Sequence, residues 1–183
     1  VNITYNISKI KVASLTKLYT RWYVDINVTN SSNSTISGVK VTGTDVLGNY
    51  DDSKETASNG MVRLALADSY FESNTQYIIT GNHTITAQKQ GYTKNSTGID
   101  LRVTNSTNRS LTIHEAVCGK IIYEDAILGS NVNSAGTCIS IGDDNVILDG
   151  NNYTITGTGS SPFTAINVTG RTGVTITNLF VKN

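Results

Sequence analysis

The residues of this 183-residue chain best suited to acid-base chemistry are three aspartates in its C-terminal third, Asp143, Asp144 and Asp149. Cleaving a glycosidic bond takes two or three carboxyl groups held about 5 to 9.5 Å apart, and eliminative cleavage adds a basic residue and usually calcium. Asp143 and Asp144 are consecutive, and Asp149 stands in a Leu-Asp-Gly turn. One repeat further on, where the sequence restates its own pattern, stand Thr169, Gly170 and Thr177, so no second acid is brought alongside. Turn formation is therefore the first reading of these aspartates, ahead of a calcium site and of catalysis. His83 and His114 have no carboxylate-rich partner segment and read as ordinary surface or hydrogen-bonded side chains. Tyr19, Trp22 and Tyr23 offer rings on which a sugar stacks, but Trp22 shares its parity with Val24 and Ile26, which favours the core for it. No glycine-rich phosphate loop, nucleophile elbow or metal-spaced His/Cys set occurs. The expectation is of no metal ion, no cofactor and no enzymatic reaction.

The elements that must position these residues are strands. From Cys138 to Asn183 one unit is written nearly twice: Ile139, Ile141, Val146, Leu148 and Ile155 align in turn with Ile166, Val168, Val174, Ile176 and Val181. The offset is nearly constant from pair to pair, which marks a structural repeat. Within each copy apolar residues alternate with Ser, Thr, Asn or Asp, the pattern of strands buried on one face. Turn formers separate them at Gly142 to Asn145, Asp149 to Asn152 and Gly170 to Gly173. Short strands bent by Gly, Asn and Asp, with no helical pattern between, make the rungs of a parallel β-solenoid in which inward residues stack.

The stretch from Cys118 to Leu128, and above all Asn145-Val-Ile-Leu-Asp-Gly-Asn-Asn-Tyr-Thr-Ile155, resembles the NosD-like right-handed parallel β-helix repeats of many secreted and archaeal cell-surface proteins. That resemblance covers the last third of the chain and implies a fold and a location more than an activity. Upstream, from Leu18 to Ile113, short alternating runs recur with turns between them: Tyr19 to Val28, Ile36 to Val46, Met61 to Leu66, Tyr77 to Ala87, Ile99 to Val103 and Leu111 to Ile113. Such a series without helices argues for a β-sandwich. Trp22 to Val28, Ser37 to Val41, Thr56 to Gly60 and His83 to Tyr92 resemble the carboxypeptidase-regulatory-like fold, a transthyretin-type sandwich. Ala67 to Thr75 breaks the pattern and reads as a loop with one helical turn.

The expected organisation is all-β: an N-terminal strand segment over residues 1–17, a sandwich over 18–114 and β-helix rungs over 115–183. Residues 1 to 15 alternate almost without a break; such a strand pairs within its own domain or completes the sheet of a neighbour. The junction, His114 to Val117, has no spacer, so the sandwich is expected to cover the first rung.

Formal net charge is zero and 15% of residues are charged, which leaves no basic field to hold nucleic acid. No segment approaches the roughly 20 apolar residues that span a bilayer. The absence of a starting Met and signal sequence marks a processed chain or a piece of a longer one. Asn, Ser and Thr make up about a third of the residues. Eleven asparagines stand two residues before Ser or Thr: Asn2, Asn6, Asn27, Asn30, Asn33, Asn82, Asn95, Asn105, Asn108, Asn152 and Asn167. Chance alone gives roughly four or five such acceptor sequences. The excess points to N-linked glycans on a surface protein, the plainer alternative being that Asn-x-Thr suits strands and turns. Cys118 and Cys138 flank the first rung, and an even pair in a chain of secreted character reads as a disulfide ahead of two buried thiols.

The repeat runs to Phe180-Val-Lys-Asn183 without a polar cap, so its last layer is expected to be covered by further rungs or by another copy. The second option, repeated head to tail, makes a filament. The sequence thus leads to an extracellular, N-glycosylated cell-surface protein that self-associates into a filament, sheath or surface layer. The rivals are a carbohydrate-binding adhesin module and a fragment of a polysaccharide-active β-helix enzyme.

Overall fold

The computed structural model describes residues 17–73, 75–101, 108–159 and 162–183. The expected strand over residues 1 to 15 lies outside them, as do Asn2, Asn6 and Asn105. The described chain is all-β. The first eight strands are β1 (Leu18–Thr29), β2 (Lys40–Thr44), β3 (Tyr50–Glu55), β4 (Met61–Glu72), β5 (Thr75–Ile78), β6 (His83–Gln88), β7 (Asn95–Ile99) and β8 (Asn108–Thr112). They form two four-stranded sheets, in the orders β5-β4-β1-β8 and β3-β2-β6-β7. All pairings are antiparallel except that of β1 with β8. The inward positions of the alternating runs meet as foreseen: Val24, Ile26 and Val28 of β1 and Val62, Leu64 and Leu66 of β4 face Val41, Ile85, Ala87 and Ile99 from the other sheet in one buried cluster. Each such side chain contributes about 1.5–3 kcal/mol of burial.

Three stretches differ from the sequence expectation. Ala67 to Glu72 is no loop but the continuation of β4. The register steps from Arg21↔Ala67 to Thr20↔Ser69, so Asp68 is an extra residue, and the inward set changes from Val62, Leu64 and Leu66 to Ala67, Ser69 and Phe71. A bulge of this kind shifts the apolar phase by one, which a strict two-residue period misses. The single run expected over Tyr77 to Ala87 is two strands, parted by a turn in which Gly81 takes φ +102°. The polar strand β3 was not foreseen. Its side chains satisfy the open flank of β4: Asp52 Oδ2 accepts from Ala65 N at 2.8 Å, Asp51 Oδ2 accepts from Ala67 N, and Lys54 Nζ donates to Arg63 O at 2.9 Å.

The remaining strands wind three rungs: β9 (Lys120–Ile122), β10 (Ala126–Ile127) and β11 (Val132–Ser134); β12 (Thr137–Ile141), β13 (Ile147–Asp149) and β14 (Thr154–Gly157); β15 (Thr164–Asn167), β16 (Thr175–Thr177) and β17 (Phe180–Lys182). Equivalent strands pair in parallel, giving sheets β9-β12-β15, β10-β13-β16 and β11-β14-β17, a short parallel β-helix. The registers reproduce the repeat: Ile139 pairs with Ile166, Leu148 with Ile176 and Ile155 with Val181. Their inward side chains form a second buried cluster, separate from that of the sandwich.

Two features fix the start of the coil. The turn between β6 and β7 lies against the first rung, with Thr93 bridged antiparallel to Ala126 and Tyr92 to Glu115. Gly91 N donates to Ile127 O at 2.8 Å, Lys94 N to Asp125 O at 2.6 Å, and Ala116 N to Gly91 O at 2.9 Å. This approach needs glycine at 129, where a Cβ would stand 2.9 Å from the Gly91 Cα, and Gly91 itself takes φ +84°, a left-handed conformation that favours glycine. The second feature is the disulfide between Cys118 and Cys138, 20 residues apart, which ties the entry of the first rung to β12 of the second. Closing a loop of this length restricts the unfolded chain. Replacing both cysteines by alanine is expected to lower the unfolding free energy by about 3 kcal/mol, measured by urea denaturation under non-reducing conditions; an unchanged midpoint would show that the clasp contributes nothing.

Candidate functional site

The sequence's candidate acids serve as struts. Asp144 Oδ1 accepts from Thr172 N at 3.0 Å and Asp149 Oδ1 from Asn178 Nδ2 at 3.1 Å, each joining the second rung to the third. Asp125 and Asn131 do the same one rung earlier, accepting from Ile147 N at 2.9 Å and Thr154 N at 2.8 Å. Asp143 Oδ1 accepts from Asp144 N within its turn. Among the described residues no three His, Cys, Asp or Glu side chains are grouped as metal ligands. His114 is exposed and lines a cavity of about 280 Å³ at the joint, together with Thr93, Tyr123 and Glu124. The Oε2 of Glu124 is buried there without a hydrogen-bond partner.

His83 is not the surface or hydrogen-bonded residue expected. It is 1% exposed on the inward side of β6, neither ring nitrogen has a hydrogen-bond partner, and Nε2 lies 3.6 Å from Asp51 Oδ2. It shares its parity with inward Ile85 and Ala87, so the alternation of β6 sets its face, and the facing sheet sets its enclosure.

The other correction builds a surface. Trp22 is 43% exposed in spite of its parity. The core takes Val24, Ile26 and Val28 from β1 and stops there, because twelve-residue β1 outruns the five- and six-residue strands facing it. Beyond the core, the first half of β1 continues with the second half of β4 and with β5 as a tongue. On one face the register sets Tyr19 opposite Tyr70 and Tyr70 opposite Tyr77, with ring centroids 5.7 and 5.0 Å apart and the second pair stacked. Lys17 Nζ stands 4.4 Å from the centre of the Tyr70 ring. Tyr23 is 63% and Tyr77 45% exposed, with Leu18 and Ile78 beside them.

A second apolar surface lies on the third rung. β15, β16 and β17 are the outer strands of their sheets among the described residues. Ile176 stacks on Leu148 and Val181 on Ile155; the inner partner of each pair is fully buried, while Ile176 is 42% and Val181 57% exposed. Among the described residues no strand stacks on Ile176 or Val181, and the outward edges of β16 and β17 have no backbone partner strand.

The registers place the two surfaces far apart. Thr29, the last residue of β1, accepts from Ile113 N at 2.9 Å, where the chain leaves the sandwich for the coil. Leu18 is at the other end of that strand, about 36 Å away at roughly 3.3 Å per residue. The coil's first rung is against the sandwich and its third is two layers further out. The tongue and the third rung are therefore two non-equivalent apolar surfaces, with the sandwich core and the first two rungs between them.

No protein-family model matches the chain, and no curated protein does. Among solved structures the chain is similar to BcpA, the major pilin subunit of Bacillus cereus, at 16% identity over 57% of this chain and 34% of that one, with a TM-score of 0.36. A variant of the same subunit matches at 16% identity over 58% of this chain and 34% of that one, with a TM-score of 0.33. The chain thus spans about a third of the length of the solved structures it matches. No helix of the described residues is long and apolar enough to cross a membrane.

The strut at Asp144 has a pH signature. The hydrogen bond from the Thr172 backbone amide, with Arg171 nearby, holds its carboxyl below the usual aspartate value. A folded-state pKa below the unfolded one contributes stability above the unfolded value near about 3.9 and loses it as pH falls through the folded value. The Thr172 amide resonance is expected to titrate with its midpoint below about 3.9, and Asp144→Asn to abolish that titration; a midpoint at or above the ordinary value would contradict the strut.

Proposed function

We propose that this chain is a structural subunit of an extracellular surface filament or sheath, growing head to tail, with the tongue of one copy covering the third rung of the next. The supporting observation is the pair of apolar surfaces exposed among the described residues, the tongue and the third rung, with the sandwich core and two rungs between them. They differ in shape and chemistry, one a row of tyrosines and the other an open β-layer. Contacts between unlike surfaces propagate into an open filament wherever the rotation between copies does not close a ring. An open β-layer takes a further strand-bearing partner through its backbone groups.

Location follows from other features. The Cys118–Cys138 disulfide suits an oxidising compartment, and the excess of acceptor sequences suits an N-glycosylated protein. The coil agrees in architecture with the NosD-like repeats, and its assignment to that type, as in archaeal cell-surface proteins, is part of this proposal. No catalysis is assigned.

The test uses two blocked variants. Val181→Asp places a charge on the third rung and Tyr77→Asp one on the tongue. Residues 1–183 with the natural sequence are expected to form oligomers in sedimentation velocity and fibres in electron micrographs at high concentration. Each variant alone is expected to stay monomeric, and an equal mixture of the two to give dimers, through the one unblocked pair of ends. Monomers of the natural sequence at millimolar concentration, or a mixture that stays monomeric, would overturn the proposal.

The exposed tyrosine row also favours a second reading, a carbohydrate-binding adhesin. It expects glycan-array binding that Tyr77→Ala abolishes while the circular dichroism spectrum is unchanged; no binding to any immobilised sugar would dismiss it.

A further inference from the structure

The folded chain does not present its acceptor asparagines equally. Asn27 lies within β1, paired on both sides, and its side-chain oxygen is buried without a partner. The amide nitrogen of Asn95, the atom a glycan would occupy, donates to Thr112 O at 2.6 Å. Asn30 spends its side-chain oxygen on the backbone amides of Ser32 and Ser34, closing a turn.

Asn167 is arranged differently. It ends β15 and is followed by the exposed turn 168–173. Its Oδ1 accepts from the Thr169 backbone N at 3.0 Å and from the Thr169 hydroxyl at 2.7 Å. Its Nδ2 has no hydrogen-bond partner among the described residues. The hydroxyl that defines the acceptor sequence is thus already bonded to the carbonyl oxygen of the carboxamide. A donor there withdraws charge through the amide and makes its N–H more acidic. In β12 the residue opposite is Ser140, next to inward Ile139, so Asn167 is on the outward side of its sheet.

We propose that Asn167 is an N-glycan acceptor in the folded protein, and that Asn27 and Asn95 are not. The inference rests on the extracellular reading above. The donor is an oligosaccharide linked through its anomeric carbon to a lipid phosphate or pyrophosphate, presented by a membrane transferase. Nδ2 attacks that carbon and forms the C–N bond. The C–O bond to phosphate breaks with its electron pair, and the displaced proton passes to a base of the transferase. No oxidation or reduction is involved. Asn167 faces outward from β15, an outer strand of the third rung, so the glycan leaves laterally from the coil, and no acceptor sequence falls within β4, β5, β16 or β17.

The test is site-resolved glycopeptide mass spectrometry of the protein from its native cells. Asn167 is expected to be occupied in most copies, with Asn27 and Asn95 at least tenfold lower. Thr169→Ser, which keeps the hydroxyl, is expected to preserve occupancy at Asn167. Occupancy at other sites with Asn167 bare, or equal occupancy of Asn27 and Asn167, would overturn this inference and leave the extracellular reading standing. Sugar at no site at all would overturn both.

Discussion

The seam between the β6–β7 turn and the first rung is the contact on which the rest of the molecule depends. A β-coil cut across its axis exposes a ring of unpaired backbone groups over an apolar interior, and both are costly to leave in water. Here the antiparallel bridges from Tyr92 and Thr93 give part of that ring its partners. Gly91 and Gly129 allow the two backbones to touch. The sandwich acts as the cap of the coil's first rung, which gives the coil a defined starting layer.

Within the coil the layers are held by thin contributions that add. A rung offers few inward side chains, among them Ile122, Ala126 and Leu128 in the first and Ile139, Leu148 and Ile155 in the second. A core that small gives a limited margin over chain entropy. Side chains of Asp125, Asn131, Asp144 and Asp149 therefore reach from one rung to the next and satisfy groups that the short strands leave free. The disulfide limits the unfolded chain where the coil begins. The acids that first suggest chemistry are spent on this scaffold.

Strand edges are treated unequally in the two halves of the molecule. On the sandwich the open flank of β4 is filled by carboxylates and a lysine from β3, so a foreign strand finds its positions taken. The tongue and the third rung carry no such protection. On the third rung the apolar side chains continue rows that are buried one layer earlier, whereas the tyrosines of the tongue occupy the outer face of their sheet. Surfaces of this kind stay soluble only if something covers them in use, and this contrast motivates assembly as the function.

Much of the architecture was legible in the chain itself. The nearly constant offset between the two copies of the repeat named the stacking partners Ile139 and Ile166, Leu148 and Ile176, and Ile155 and Val181, because side-chain period and turn residues are local properties. The disulfide pair and the alternating strands were legible for the same reason. Trp22 and His83 were not, nor was the continuation of β4 through Ala67, Ser69 and Phe71. Parity tells which face of a sheet a residue takes, but burial depends on how far the opposite sheet extends. That length is set by strands distant in sequence, so only the folded molecule decided that Trp22 is exposed and that His83 is enclosed.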